Sequence, residues 1–118
     1  MPRVLVLDGF DESRESTVGV LRSAGFSVVG AAEEDEALEA LAKSGVDLVL
    51  LDLPVAETIE AASAIRSQCG ATTPKILAII DPTDTAEREG ARAAGIDFLI
   101  LRPCPPLQLV KQARRFLL

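Results

Sequence analysis

Two aspartates carry most of the chemistry this chain could do, and each stands where an apolar run ends. The first run is Val4-Leu5-Val6-Leu7-Asp8. The second is Val46-Asp47-Leu48-Val49-Leu50-Leu51-Asp52. A carboxylate at the carboxyl end of a buried parallel strand points into the crevice where α/β proteins place their ligands. Two such acids on neighbouring strands form a small acidic pocket. It could hold a hard cation, and one of its carboxylates could act as a nucleophile toward phosphorus.

The other strand ends supply the rest of the pocket: Asp8-Gly9, Asp52-Leu53-Pro54, Ile79-Ile80-Asp81 and Leu101-Arg102-Pro103. Several chemistries are excluded. No GxGxxG follows the first strand, so a dinucleotide site is not expected, and no GxxxxGK[ST] marks a P-loop. The chain has no histidine. That removes histidine-based triads and bases, phosphohistidine relay from this chain, and most zinc sites. Cys69 and Cys104 lack ligand-like neighbours and read as free thiols in buried structural positions.

The elements that must position these residues follow from the hydrophobic pattern. The first strand spans roughly Arg3–Leu7. A helix near Asp11–Ala24 follows, with Asp11 or Ser13 as N-cap and Gly25 as its stop. The second strand is Phe26–Ala31. The second helix, about Glu33–Lys43, turns Ala37, Leu38 and Leu41 inward. The third strand is Val46–Leu51, and the third helix runs near Glu57–Gln68 with Ile59, Ala62 and Ile65 inward. Pro74 introduces a strand at Lys75–Ile80. A helix at about Asp84–Ala94 stops at Gly95, a strand follows at Asp97–Leu101, and the last helix is near Pro106–Leu117. Its expected apolar face is Leu107, Val110, Ala113 and Leu117. Strands three to five are continuous apolar runs, the mark of a parallel sheet covered on both faces. The fold class is α/β, a doubly wound (βα)5 arrangement. Both common strand orders put the ligand crevice at the carboxyl edge.

With 118 residues the chain is read as one domain, 1–118, and 48% hydrophobic residues suffice for a core. Aromatics are only 3%, so Leu, Val, Ile and Ala must fill it. The net charge of −6 argues against nucleic-acid binding. No apolar run nears the roughly 18–20 residues needed to span a bilayer. Met1-Pro2-Arg3-Val4 leads directly into a strand, so no signal peptide is expected and the cytoplasm is the default compartment.

With these pieces assembled, the chain resembles a response regulator receiver domain. The resemblance rests on Val4-Leu5-Val6-Leu7-Asp8-Gly9 followed by Arg14-Glu15, on Ala24-Gly25-Phe26-Ser27-Val28, and on Glu36-Ala37-Leu38. It rests further on Asp47-Leu48-Val49-Leu50-Leu51-Asp52, on Thr73-Pro74-Lys75-Ile76, and on Gly95-Ile96-Asp97-Phe98-Leu99-Ile100-Leu101-Arg102-Pro103. It implies a flavodoxin-like, CheY-like domain with a five-stranded parallel sheet of order 2-1-3-4-5. It implies Asp52 as phosphoacceptor in a two-component phosphorelay, with a histidine kinase or phosphotransfer protein as donor. It also implies Mg²⁺ held by Asp8, Asp52 and the backbone carbonyl of Pro54. Such a module is a substrate of phosphotransfer rather than an enzyme.

The departures are as specific as the matches. Gly9 stands where the family has a second acid, its usual direct Mg²⁺ ligand, so weaker binding is expected. Ile79 replaces the Ser or Thr that hydrogen-bonds the phosphoryl group, a contact worth about 1.5–3 kcal/mol. Arg102 replaces the family lysine, keeping charge but not shape. Leu99 replaces the switching aromatic. The loop Leu53-Pro54-Val55-Ala56-Glu57 is short and lacks the family's glycine turn. These losses describe an atypical receiver, and the alternative is a phosphorylation-independent pseudo-receiver used for protein contacts or dimerisation.

Each site residue also has a structural reading. Asp52 could simply pair with Arg102, Asp8 could cap the first helix, and Asp81 reads as a turn residue before Pro82. The resemblance marks Arg102-Pro103 as a candidate cis peptide. Arg88, Arg92, Lys111, Arg114 and Arg115 read as a solvated face, or as part of a partner or homodimer surface built from helix four, strand five and helix five. Phe116-Leu117-Leu118 could cap the core or mark where a longer protein was cut.

Overall fold

The computed structural model describes residues 1–82 and 84–117. Strands and helices alternate without interruption. They are β1 (Arg3–Asp8), α1 (Asp11–Ser23), β2 (Ser27–Ala31), α2 (Glu34–Lys43), β3 (Leu48–Asp52), α3 (Val55–Cys69), β4 (Lys75–Ile80), α4 (Thr85–Ala93), β5 (Phe98–Leu101) and α5 (Pro106–Leu117). The sheet is wholly parallel, in the order β2-β1-β3-β4-β5. The doubly wound fold is as the hydrophobic pattern leads one to expect, and the strand order is the one the receiver resemblance implies.

The continuous apolar strands are explained by burial on both faces. Alternate residues point to opposite sides. Leu5, Leu7, Val49, Leu51, Ile76 and Ala78 pack with Ala37 of α2, Ala61, Ala62 and Ile65 of α3 and Ala91 of α4. Val4, Val6, Leu48, Leu50, Leu77 and Ile79 pack on the other face with Leu21 of α1 and Leu109 and Ala113 of α5. Small residues on α2, α3 and α4 let those helices approach the sheet closely. A chain with few aromatics fills its core in this way.

Four expectations need correction. Helix α1 has Phe10, not Asp11 or Ser13, at its N-cap, and that residue makes no side-chain cap. Asp8, the last residue of β1, instead binds the segment that enters the helix, through the Phe10 N–H and the Ser13 hydroxyl. Helix α3 begins at Val55 rather than Glu57, because Pro54 is extended (ψ 151°) and its carbonyl accepts the Thr58 N–H at 2.9 Å. Leu107 is 86% exposed. The buried face of α5 is Leu109 and Ala113, with Phe116 packed beside them. Leu107 lies two residues before Leu109, about 200° away around the helix. Cys69 is exposed and Cys104 partly exposed, so neither fills the core. Leu118 lies outside the described residues, while Phe116 and Leu117 do pack against the core.

At the amino-terminal edge of the sheet, Arg66 of α3 ties three segments together. It donates to Gly95 O from Nε at 3.1 Å and from Nη2 at 2.9 Å, and to Pro74 O at 2.6 Å. It also pairs with Asp97 at 2.9 Å. Asp97 in turn accepts the Ile76 N–H at 2.8 Å. Gly95 has φ +98°, and a Cβ there would lie 2.6 Å from Arg66 Cγ, so only glycine fits. Nothing in the sequence pattern singles out Arg66, since its partners are mostly backbone carbonyls. Replacing Arg66 with Met should leave the Gly95 and Pro74 carbonyls without this donor and Asp97 without its cation, and destabilise the domain by about 2–3 kcal/mol. Urea unfolding at pH 7 measures this; a loss below about 0.5 kcal/mol would mean that Arg66 behaves as an ordinary surface residue.

Candidate functional site

The register of the sheet builds the site. Asp8 of β1 pairs across from Asp52 of β3, and Asp52 pairs across from Ile79 of β4. The three therefore stand side by side at the carboxyl edge. Beside them, the Arg102 backbone N–H donates to Ile80 O at 2.9 Å, which fixes the root of that side chain just beyond β5. The Arg102-Pro103 peptide is cis.

The two aspartates have different surroundings. Asp8 is 1% exposed. Its Oδ1 accepts the Phe10 N–H at 2.9 Å, and its Oδ2 accepts the Ser13 hydroxyl at 2.5 Å. Its backbone carbonyl accepts Arg14 Nη1 at 2.9 Å, and Arg14 also pairs with Asp11. Asp8 thus ties the end of β1 to the start of α1, though through the Phe10 N–H and a hydroxyl rather than by capping an N–H of the first helical turn. Ser13 and Arg14 complete this knot. Arg14 was legible as part of a motif, but the partner of Ser13 was not.

Asp52 faces a crevice of about 280 Å³ bounded by Ser13, Ser16 and Thr17 of α1, by Ile79, and by Arg102, Pro103 and Cys104. Its side chain keeps 20% of its surface exposed and is salt-bridged to Arg102 Nη2. The other arm of Arg102 reaches Asp81 at 3.4 Å. Asp81 is 79% exposed, so that second pair is weak. Burial pushes the Asp52 carboxyl above its ordinary value; Arg102 pulls it back without winning, and the charges of Asp8 and Asp81 add to the rise. The Cys104 thiol is also pushed up, by burial and by Asp52, which disfavours the reactive thiolate.

The remaining expected site residues fall as follows. Ile79 is buried beside Asp52 and brings no hydroxyl to the crevice. Pro54 turns its carbonyl into α3. The preceding carbonyl, of Leu53, accepts the Thr58 hydroxyl at 3.1 Å. Thr58, buried and unremarked in the sequence, so occupies both carbonyls of the short loop. Leu99 is partly buried against the α2–α4 side of the core. Arg115 stacks over Phe98 and Phe116, at 5.3 and 5.4 Å from the ring centres, and Arg114 donates to Ala24 O at 3.3 Å. Arg115 thus covers the aromatic pair of β5 and α5, while the exposed Arg114 reaches the end of α1.

A sequence profile described as the response regulator receiver domain matches residues 4–114. The chain belongs to the response regulator receiver family. It is 32% identical over 114 residues to the DNA-binding response regulator MtrA of Mycobacterium tuberculosis, covering 95% of this chain and 49% of that protein. It is 28% identical over 118 residues to the transcriptional regulatory protein PrrA of the same organism, covering 98% and 50%. The receiver spans about half the length of these regulators. Among solved structures, the chemotaxis protein CheY4 of Vibrio cholerae superposes with a TM-score of 0.89 at 28% identity, covering 98% of both chains. The chain is thus a receiver domain of two-component signalling.

Receivers imply Mg²⁺, and the donors present can be tested against it. The ion needs near-octahedral oxygen ligands at about 2.0–2.1 Å. Both Asp8 oxygens already accept hydrogen bonds in a nearly inaccessible position, and Asp52 is paired with Arg102. Pro54 O is the first acceptor of α3. No cluster of three or more acidic or cysteine side chains suited to a metal occurs among the described residues. The donor set does not fit the ion.

The raised Asp52 carboxyl has a consequence for stability. A carboxyl whose pKa is higher folded than unfolded binds more protons when folded, so stability falls as pH rises from the ordinary carboxylate value through the raised one. At pH 7 the ionised Asp52 is therefore a net cost. The Asp52→Asn variant should melt above the parent at pH 7, and the gap should narrow as pH falls below the ordinary carboxylate range. Melting curves from pH 4 to 8 decide this; an equal or lower melting temperature at pH 7 would show that Arg102 outweighs the burial of Asp52.

Proposed function

We propose that this receiver takes a phosphoryl group on Asp52 and passes the change to partner proteins through β5 and α5. One observation supports the reading above all. Asp52 stands at the end of the central strand, open to a crevice on one side and held by a cation on the other. Its unpaired oxygen can attack phosphorus in line with the leaving nitrogen of a phosphohistidine. The P–N bond breaks, its electron pair leaves with the protonated imidazole, and an acyl phosphate forms on Asp52. Arg102 then has phosphoryl oxygens to contact in place of a carboxylate. The domain is the substrate of that transfer, not an enzyme, and its donor is a histidine kinase or phosphotransfer protein. The same reading sets it in the cytoplasm, where ATP-dependent kinases make phosphohistidine.

The outgoing signal follows from what Arg102 touches. Asp52 and Asp81 both draw on the one guanidinium, and its backbone leads through Pro103, Cys104 and Pro105 into α5. Since Ile79 has no hydroxyl, no switch side chain on β4 reports the phosphoryl group. The surface of α4, β5 and α5 is the natural place for a protein partner or a second copy. MtrA is named as DNA-binding, but this domain, at net charge −6, is assigned no DNA contact of its own.

Incubating the protein with phosphoramidate and recording its intact mass tests the central claim. A single phosphoryl adduct should form on the parent and not on Asp52→Asn. An unmodified parent, shown to be folded by its far-UV spectrum, would instead leave a module that signals through contacts alone.

A further inference from the structure

We propose that Asp52 accepts its phosphoryl group without a divalent cation, with the Arg102 guanidinium carrying the positive charge that Mg²⁺ would supply. This rests on Asp52 being the acceptor, as argued above, and concerns what neutralises the charge that gathers there.

The metal side has been removed in three separate places. At Gly9 the backbone is not in the left-handed region, and the nearest heavy atom to an added Cβ would be Ala32 O at 3.9 Å. A side chain fits there, so what is missing is the ligand and not the space for it. Asp8 is committed to the β1–α1 turn, its two oxygens held by Phe10 N–H and Ser13 Oγ. Helix α3 starts directly at Val55, which turns the Pro54 carbonyl into the helix as the acceptor of Thr58 N–H. Restoring one of these donors would leave the other two committed.

The cation side has been strengthened. A lysine presents a compact point charge, whereas a guanidinium presents a planar fork able to hold two oxygens of one phosphoryl group. Arg102 already bridges two acids, Asp52 with one arm and the exposed Asp81 with the other. The Asp81 arm is loosely held and can move to an incoming phosphoryl oxygen while the backbone stays fixed on Ile80 O. With phosphoramidate as donor, an Asp52 oxygen bonds to phosphorus and the P–N pair leaves with a nitrogen that is already protonated. Ammonia departs, and nothing is oxidised or reduced.

The test follows adduct formation by intact mass, with phosphoramidate, in EDTA and in millimolar MgCl₂. It is paired with a titration of MgCl₂ alone read by amide NMR shifts. The parent should label at the same rate within about twofold in both buffers, and Arg102→Gln should lose about tenfold or more in EDTA, as expected for one charged hydrogen-bonding group. Arg102→Lys should fall between the two. The parent's Asp8, Gly9 and Asp52 amides should not respond to millimolar Mg²⁺. Labelling of the parent that requires Mg²⁺, or saturable shifts at Asp8 and Asp52, would overturn the inference while leaving Asp52 as acceptor. No adduct in either buffer would sink the acceptor reading itself, and this inference with it.

Discussion

A carboxylate buried at the end of a strand must find something to neutralise it, and the two in this domain have found different partners. Asp8 has taken local ones, a backbone N–H and a hydroxyl one turn away, and is sealed beneath α1. Asp52 has taken a distant cation delivered by the far end of the sheet. The division decides which acid stays chemically available. Hydrogen bonds from neutral donors fix a carboxylate in place, whereas an ion pair with a partly exposed arginine can be exchanged for another anion. The 34% exposure of Arg102 matters for this reason, since a fully buried pair would be costly to break.

That pairing depends on the register of the sheet, and the register depends on apolar alternation. A slip of one residue in β3 would turn Asp52 to the opposite face and send its buried leucines to the wrong side. The cores on the two faces therefore also hold Asp8, Asp52 and Ile79 abreast. Arg66 closes the other edge of the same sheet, far along the chain from those acids. It anchors the segments that enter β4 and β5, and through them the strand that carries Arg102.

Much of this was legible in the chain itself. Apolar runs ending in Asp8 and Asp52, glycines at 25 and 95, and Arg102-Pro103 after the last strand were enough to give the doubly wound fold; the strand order came from the family resemblance those residues carry, and the Arg102–Asp52 pair stood as one of two readings of Asp52. What stayed hidden involves groups that periodicity cannot register. Thr58 reads as one more residue on the third helix, yet it closes two loop carbonyls. Ser13 reads as a helix cap, and it is instead the donor that ties up Asp8. Arg66 binds mainly backbone oxygens, which carry no sequence signature. Leu107 sits in an amphipathic pattern whose phase is set by where Pro106 starts the helix, and that start lies beyond the edge of the sheet.

Beside the changes on the metal side, two further substitutions simplify the signal path. A receiver with a hydroxyl on β4 and a mobile aromatic on β5 reports phosphorylation through two side chains. Here those positions are Ile79, buried and apolar, and Leu99, packed against the core. Neither can form a new hydrogen bond when the charge on Asp52 changes. Arg102 contacts Asp52 directly and lies in the β5–α5 connection, so it is the charged side chain that couples Asp52 to that segment. Asp52 and Asp81 draw on that one guanidinium, so it cannot leave Asp52 without changing the field at Asp81, and the strand-end acids are coupled through a single side chain.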